Sequence, residues 1–423
     1  MELSQPRGMR DYNIYEAETR RNIVVKIEDI FKLFGFNPLE TPALESIDIL
    51  NAKAYGEESS KELYVLEGEK TGLRYDLTVP LARYVSMNKD IPLPFKRYQI
   101  GYVWRKEEPQ KMRYREFLQA DIDIVGSSSI ASDAEVIAAA AYALEELGIQ
   151  GYTIFLNSRM LLNKILSFFG IKNDRLNDAI RIIDKLYKIG MEEAEAQLMP
   201  MCERSRELVE FMAKEEEDSE KFLRLASNMP EAAAEIDEIK NLIALLKEYN
   251  LNNNIKLDIS IARGLDYYTG LIWEFVVFDD GGKRLPTIVS GGRYDKLIGI
   301  YSDKDMPATG ISIGIDRIID VMMHKGIGAS GRRKVFIVVI GRDNLPYSIN
   351  AANALRSAGI CADLDVTTRN ISKQLEYANS MKFEYALIIG NSERNANKVR
   401  IRNLVAGEEQ DLSIEEAVNI LKS

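Results

Sequence analysis

Residues 103–121 read VWRKEEPQKMRYREFLQAD. The run FKRYQIGYVWR is strand-like and leads into Arg105-Lys106-Glu107. The polar loop KEEPQKMRY follows, and a second strand-like run, REFLQADIDIVGS, carries Phe117 and Asp121 just after Arg113. The guanidinium of Arg105 suits a phosphate, because its planar fork matches two oxygens. Glu107 suits an amino group as acceptor, and Phe117 suits the flat face of a base. The same residues also suit a charged hairpin, so the surrounding chain has to choose.

Toward the N-terminus, ETRRNIVVKIEDIFKLFGF has apolar residues at helical spacing and stops at Gly35. TGLRYDLTVPLARYVSM runs from a strand into a helix with Pro80 near its start. Toward the C-terminus, SDAEVIAAAAYALEELG reads as a helix, with Ser132 and Glu135 as a capping box and Gly148 as its stop. From about 170 to 250 the chain turns charged and helical, as in NDAIRIIDKLYKIGMEEAEAQL and ERSRELVEFMAKEEEDSEKFLRL. This stretch is expected to be a helical insertion in which KEEED is a solvated face. Strands resume at IKLDISIA and LIWEFVVF, and the region closes with a helix over TGISIGIDRIIDVMM. GIGASGRR, 326–333, reads as a Gly/Ser linker. Beyond it KVFIVVIG, ICADLDV, EYALIIG and KVRIRNL alternate with helical SINAANALRSAG, ISKQLEYANSM and SIEEAVNILKS. That alternation implies a small, mostly parallel α/β domain.

Two further stretches carry chemistry. RGLDYYTG, 263–270, sets an arginine, an aspartate and two tyrosines between the strand-like runs LDISIA and LIWEFVVF. A polar hairpin would explain it, and so would a site. VSGGRYDKL, 289–297, offers close backbone approach at Gly291-Gly292, or simply a glycine bulge. In ATGISIGIDRIID, 308–320, Gly310 and Gly314 precede Arg317 at a strand-to-helix transition, where small residues admit a ligand and Arg317 meets an anion.

The bulk numbers exclude several classes. With 423 residues the chain has room for two or three domains. Its 46% hydrophobic and 28% charged content is that of a soluble globular protein. MELSQPRGMRDY lacks the apolar stretch of a secretory signal, and IAAAAYAL is too short to span a bilayer, so a cytoplasmic location is expected. Cys202 and Cys361 are far apart, which suits a reducing compartment and leaves neither a disulfide framework nor a zinc site. The one histidine, His324, rules out a conventional histidine-based metal site or general base. Net charge is −10, but from 331 onward 13 Lys+Arg face 11 Asp+Glu. A near-neutral tail on an acidic body hints at nucleic-acid contact there.

Arg-x-Glu, a loop and Arg-x-x-x-Phe-x-x-x-Asp, filled by Arg105, Glu107, Arg113, Phe117 and Asp121, resemble motif 2 of the class II aminoacyl-tRNA synthetases. The Gly310–Arg317 segment resembles motif 3. FGFNPLETPALE, 34–45, with Pro42, resembles the dimer-forming motif 1. Within that class, RGLDYYTG and SGGRYD are similar to the two signature peptides of the histidyl-tRNA synthetase family. LRYDLT and FLQADID are similar to its amino-acid site, in a form closer to archaeal and eukaryotic members. The resemblance runs from QPRGMRDY to the C-terminal α/β domain. One departure is Glu108-Pro109-Gln110, where bacterial relatives have an arginine before the proline, so acceptor-stem contacts of that style do not carry over.

The resemblance implies an α+β class II catalytic core on an antiparallel sheet with flanking helices over 1–325, interrupted by the helical insertion. The linker 326–333 and an α/β anticodon-binding domain at 334–423 follow. It implies a homodimer that joins L-histidine to tRNA(His) with ATP and Mg²⁺. Arg263 and Arg105 would face each other across the α-phosphate as the catalytic cations. Arg113 and Arg317 would hold the outer phosphates, with Glu107 and Phe117 on the base. Asp76, Thr78, Gln119 and Asp123 would contact the α-amino group and imidazole, with Tyr267 and Tyr268 completing the pocket. Such polar pockets reject analogues lacking the matching group by roughly 10⁴–10⁵. Gln110 and the strand residues Lys398, Arg400 and Arg402 would meet tRNA. The alternatives are a non-catalytic paralogue serving as the regulatory subunit of ATP phosphoribosyltransferase, a prolyl or threonyl enzyme, and a plain RNA-binding module. Intact RGLDYYTG, the phosphate-type arginines and the tail domain argue against all three.

Overall fold

The computed structural model describes residues 3–52, 61–110, 112–214, 216–251, 255–262, 267–327, 334–367 and 369–422. The chain divides into two compact units, 1–329 and 330–423.

The first unit is organised by strands β1 (Asn37–Pro38), β2 (Leu44–Ser46), β3 (Thr71–Leu73), β4 (Phe95–Trp104), β5 (Glu116–Val125), β6 (Tyr152–Ser158), β7 (Ile255–Leu257), β8 (Leu271–Val277), β9 (Val289–Arg293) and β10 (Ala308–Gly314). Eight of them form one sheet in the order β1-β4-β5-β10-β9-β8-β6-β7, while β2 and β3 pair separately. Every pairing from β4 to β6 is antiparallel, and only the edge pairs β1–β4 and β6–β7 are parallel. The long pair β4–β5 is the motif 2 hairpin expected from the sequence.

One face of the sheet is covered by helices. The helix Ile14–Leu33 contributes Ile23, Ile27 and Phe31 to the core. The helix Ile130–Glu146 contributes an uninterrupted buried run from Ala138 to Ala141, whose small side chains let its backbone lie close to the strands. Leu118, Ala120, Ile122 and Ile124 of β5 point into this layer. By the two-residue period of a strand, Phe117, Gln119, Asp121 and Asp123 point the other way.

Four local expectations need correction. LDISIA and LIWEFVVF are not a hairpin: the strand at the first stops at Leu257, and β7 and β8 lie on opposite sides of β6. TGISIG is strand β10, and the helix begins only at Ile315, because the alternating segment is captured between β5 and β9. The helix expected to start at Ser132 is capped instead by Ser129, whose side chain accepts from the Ala131 amide. Ser132 turns to Ser127, and Glu135 is drawn off by Lys96 and Tyr249. Within KEEED, Glu216 is not solvated: its side chain is 5% exposed and paired with Arg224 and Lys214. Gly35 and Gly148 do end their helices, with φ of +76° and +77°. In the charged stretch, short helices such as Leu176–Ile183, Met191–Leu198 and Ser205–Ala213 lead to Ala233–Glu248, which packs on Ile130–Glu146.

The second unit carries β11 (Lys334–Val339), β12 (Cys361–Leu364), β13 (Tyr385–Ile389), β14 (Val399–Asn403) and β15 (Glu409–Leu412) in the order β12-β11-β13-β14-β15. The first three are parallel; β14 and β15 add antiparallel. Helices Leu345–Ser357, Ile371–Ser380 and Ile414–Lys422 cover this sheet. The linker read at 326–333 lies mostly outside the described residues. Among those described, no helix is long and apolar enough to cross a membrane.

Candidate active site

Phe117, Gln119, Asp121 and Asp123, successive residues on the uncovered face of β5, line one pocket of about 370 Å³. The same pocket gathers Asp76, Thr78, Arg105, Glu107, Arg113, Tyr267, Tyr268 and Arg317 from segments spread over 240 residues of chain. Arg263, which the sequence singled out with them, lies outside the described residues. Gln110 does not line the pocket; it sits exposed on the turn of the hairpin, pairing backbone with Arg113.

The pocket has a cationic end. Arg105 leaves β4 with its guanidinium 4.3 Å from the Tyr75 ring centre and 5.1 Å from that of Phe117, and donates to the Tyr75 carbonyl at 3.2 Å. Glu107 forms an ion pair with Arg113 and stands 3.9 Å from Arg105. Arg317 donates to the Thr287 carbonyl at 2.6 Å. Its neighbour Asp316 is buried, accepts from the Leu118 amide at 2.8 Å, and is met by Tyr12 and Arg20. Thus the helix carrying Arg317 is tied to β5 and to the N-terminal segment.

The other end is acidic. One oxygen of Asp76 accepts from the Thr78 and Val79 amides at 3.1 and 3.0 Å, capping the helix Thr78–Met87; the other receives the Tyr267 hydroxyl at 3.4 Å. Asp123 accepts from the Tyr294 hydroxyl and lies 2.7 Å from Arg97, which is fully buried. That approach is an ion pair without hydrogen-bond alignment, since Asp123 Oδ2 and two of the Arg97 nitrogens have no hydrogen-bond partner among the described residues. Burial pushes the Asp121 carboxyl up to about 7, against the pull of Arg97 and with Asp123 and Asp76 adding to the rise. Burial likewise raises Asp123, opposed by Arg97, and raises Tyr294.

Of the glycines read from the sequence, Gly310 acts differently from the expectation and Gly291 as expected. A Cβ at Gly310 would overlap Asp123 Oδ1, so this glycine makes room for a carboxylate of the chain itself. A Cβ at Gly291 would overlap the Gly310 carbonyl, so that glycine lets β9 approach β10. Arg293 of SGGRYD turns away from the pocket to the Ser127 and Ser129 carbonyls and Asp133, while the next residue, Tyr294, reaches in.

Several residues in or behind the pocket wall escaped the sequence. Arg97, Tyr294 and Ser312 act only through strand neighbours that the linear pattern does not reveal, although Tyr294 lies within SGGRYD. Arg181, Asp184 and Lys185 of the charged helical stretch also line the pocket, so that region reaches the site. Among the described residues there is no group of three His, Cys, Asp or Glu fit to hold a metal.

In the second unit, Arg400 and Arg402 are not free cations. The β14–β15 register sets them opposite Asp411 and Glu409, with ion pairs of 2.8 and 3.3 Å, and Glu393 stands 3.5 Å from Arg400.

Residues 8–318 match the family model described as histidyl-tRNA synthetase, and residues 334–423 match the anticodon binding domain. The histidine–tRNA ligase of Korarchaeum cryptofilum is 38% identical over 413 residues, 94% of each chain. That of Aeropyrum pernix is 36% identical over 432 residues, 99% of this chain and 97% of the relative. Among solved structures, histidyl-tRNA synthetase from Nostoc sp. PCC 7120 superposes with a TM-score of 0.86 at 28% identity, covering 100% and 99% of the two chains. An ATP phosphoribosyltransferase regulatory subunit/histidyl-tRNA synthetase from Bacillus halodurans shares the fold, with a TM-score of 0.75 at 21% identity over 92% of this chain and 98% of that one.

Proposed function

The chain belongs to the histidyl-tRNA synthetase family and is an ATP-dependent histidine–tRNA ligase, and on that premise we propose how its pocket divides the work. The observation that carries the reading is the sorting of charge along β5. Arginines surround Phe117, and carboxylates surround Asp123 six residues on, roughly 20 Å away at strand spacing. ATP lies at the cationic end and histidine at the acidic end, with the reacting carboxylate and α-phosphate between them.

The histidine carboxylate attacks the α-phosphate; the new bond joins carbonyl carbon to phosphorus through oxygen, and pyrophosphate leaves. Arg105 and Arg263 balance the charge that gathers on the α-phosphate oxygens. Arg113 and Arg317 hold the outer phosphates, and Phe117 stacks on the base. Asp76, Thr78 and Gln119 receive the α-ammonium, while Asp123, Tyr267 and Tyr268 read the imidazole. The 3′-terminal hydroxyl of tRNA(His) then attacks the carbonyl and AMP departs. Glu107 would accept from the amino group of the base. Mg²⁺ would come with the phosphates and neutralise their outer charge, and among the described residues no group of three His, Cys, Asp or Glu offers it a protein cage. Pyrophosphate exchange across the amino acids tests the assignment. Histidine alone is expected to support it, and exchange with proline or threonine would overturn the pocket reading.

The residues 334–423 take the anticodon loop, with Lys398, Arg400 and Arg402 offered by β14; the two arginines would trade their carboxylate partners for phosphates. Gln110, exposed on the motif 2 turn, is available to the acceptor end. Deleting 334–423 should abolish tRNA charging while histidine-dependent pyrophosphate exchange falls far less; equal loss of both would mean that the unit only supports the core. Leu33 and Leu44, exposed beside and within motif 1, support a two-fold dimer through residues 34–45. A cytoplasmic location agrees with two unpaired cysteines, one of them exposed.

A further inference from the structure

Residues 3–12 form neither helix nor strand, and a chain end of that kind frays unless something holds it. This one is fastened on two sides. On one side is the loop between β4 and β5: the Gly8 carbonyl accepts from the Arg115 amide at 2.8 Å, Arg10 donates to the Tyr114 hydroxyl at 3.0 Å, and Arg7 meets Glu108 at the surface at 2.6 Å. On the other side is the helix Ile315–His324: the Tyr12 hydroxyl donates to Asp316 Oδ1, and Arg20 of the helix Ile14–Leu33 reaches Asp316 Oδ2 at 3.3 Å. Between the two, the Arg10 guanidinium lies 4.4 Å from the Tyr12 ring centre and 4.6 Å from that of Tyr114, and the Arg20 guanidinium lies 4.4 Å from Tyr12 and 4.9 Å from Tyr102. Rings and cations thus alternate from the loop to the helix.

Each fastening lies beside an arginine of the cationic end. Arg113 precedes Tyr114 and Arg115, and Arg317 follows Asp316. Arg113 stands outside the β4–β5 ladder with its side chain nearly half exposed, so strand pairing alone does not fix it. The approach of the segment to this loop depends on Gly8 in two ways. Its φ is +81°, and a Cβ there would stand 2.8 Å from both Arg115 Cγ and Pro109 Cγ. Two cations that must meet neighbouring phosphates at once gain from a fixed separation, because the cost of ordering them is met in folding rather than in binding.

We propose that the N-terminal segment is a strap that sets the separation of Arg113 and Arg317, with Gly8 and Tyr12 as positioning residues for the outer phosphates of ATP. This rests on the reading of those two arginines as the contacts to the outer phosphates. Neither Gly8 nor Tyr12 lines the pocket, so each acts through a neighbour: Gly8 through the loop that carries Arg113, Tyr12 through Asp316 at the start of the helix that carries Arg317.

AMP separates this role from a merely structural one, since it shares the base, ribose and α-phosphate of ATP and lacks the outer phosphates. Both nucleotides are measured by equilibrium dialysis without histidine, so that no adenylate forms. Tyr12→Phe keeps the ring in its row and removes only the hydroxyl. It should raise the Kd of ATP about fivefold, the size of one hydrogen bond's net contribution, and leave that of AMP within about twofold. Gly8→Ala, which pushes the loop outward, should shift ATP by at least as much and AMP as little. In pyrophosphate exchange the KM for ATP should follow its Kd, while the KM for histidine stays put. In an Arg317→Ala background Tyr12→Phe should have no further effect on ATP, whereas Gly8→Ala should still act through Arg113. If Tyr12→Phe does not fold, Gly8→Ala decides alone. Unchanged ATP affinity in the folded variants, or parallel weakening of ATP and AMP, would overturn the strap. Arg113→Ala and Arg317→Ala separate the two layers. If they leave ATP affinity unchanged, the underlying reading of the arginines fails too. If they weaken ATP while Tyr12→Phe and Gly8→Ala are silent, only the strap fails.

Discussion

Arg263→His is expected to slow histidine adenylation on the order of 10²–10³-fold, lowering kcat and kcat/KM together while the KM for ATP moves little. The reaction brings a carboxylate against a phosphate, two anions that repel, and its transition state concentrates further negative charge on the α-phosphate oxygens. One cation for that charge is visible: Arg105, fixed between the faces of Tyr75 and Phe117. Arg263 is proposed as the second on the strength of its signature peptide; it lies outside the described residues, and the next described residue, Tyr267, lines the same pocket. A donor that acts only on the developing charge is worth about 3–4 kcal/mol in a water-excluded site, and it shows in kcat rather than in ground-state binding. Lysine should rescue poorly, because a point charge cannot bridge phosphate and carboxylate oxygens as a planar fork does. When ready-made adenylate is supplied, transfer to tRNA should be affected much less, since attack on phosphorus is over. Adenylation and transfer measured separately before the steady state decide the matter. Turnover within threefold of the parent, or damage confined to transfer, would remove Arg263 from the catalytic assignment.

Arg97→Leu is expected to cost the first unit about 3–5 kcal/mol, the usual effect of stripping one partner from a buried ion pair. Arg97 is fully buried, 2.7 Å from Asp123, and it is the main force holding down both the Asp121 and Asp123 carboxyls against burial. Leucine has no counter-charge to offer, so the two carboxylates must keep their protons or remain buried and unpaired. The sign of the pH dependence follows. An aspartate titrates near 3.9 in the unfolded chain, but Asp121 is already raised to about 7 in the fold and would rise further without Arg97. Between its parental and its further-raised value the variant's folded state holds protons that its unfolded state lacks, and stability falls as pH rises. The deficit of the variant should therefore be larger at pH 8 than at pH 6. Both tryptophans, Trp104 and Trp273, belong to the first unit, so fluorescence-detected urea unfolding reports on it. A loss below about 1 kcal/mol, or a deficit that shrinks toward pH 8, would mean that Arg97 is not the counter-ion of this cluster.

The parts of the site that were legible in the sequence are those that local geometry controls. The two long runs around KEEPQKMRY could hardly be anything but a hairpin, and they became β4 and β5. The parts that were misread are those whose partners come from elsewhere. KVRIRNL looked like a row of available cations, but Arg400 and Arg402 meet Asp411 and Glu409 on β15, a strand too short and polar to announce itself. LDISIA and LIWEFVVF looked like neighbours because they are close in the chain, yet β6 takes the position between them. Gly310 read as an opening for a ligand, and it is an opening for Asp123.

The family and the reaction were determined by the sequence alone, and so were many of the side chains that line the pocket, though not Tyr294, Ser312, Arg181, Asp184 or Lys185. They depend on residue types at set spacings, and a strand's two-residue period suffices to turn Phe117, Gln119, Asp121 and Asp123 to one side. Which atoms those side chains present was decided only by the tertiary structure. Ser312, whose hydroxyl oxygen accepts from the Gln119 amide, is 193 residues away from it, and Tyr294, which donates to Asp123, is 171 away. Arg97 meets Asp123 only through the register of two strands. Burial then does the rest: a carboxyl that is an ordinary acid in water is raised to about 7 once the sheet, the helices and the loops close over it, and no spacing of letters along the chain carries that information.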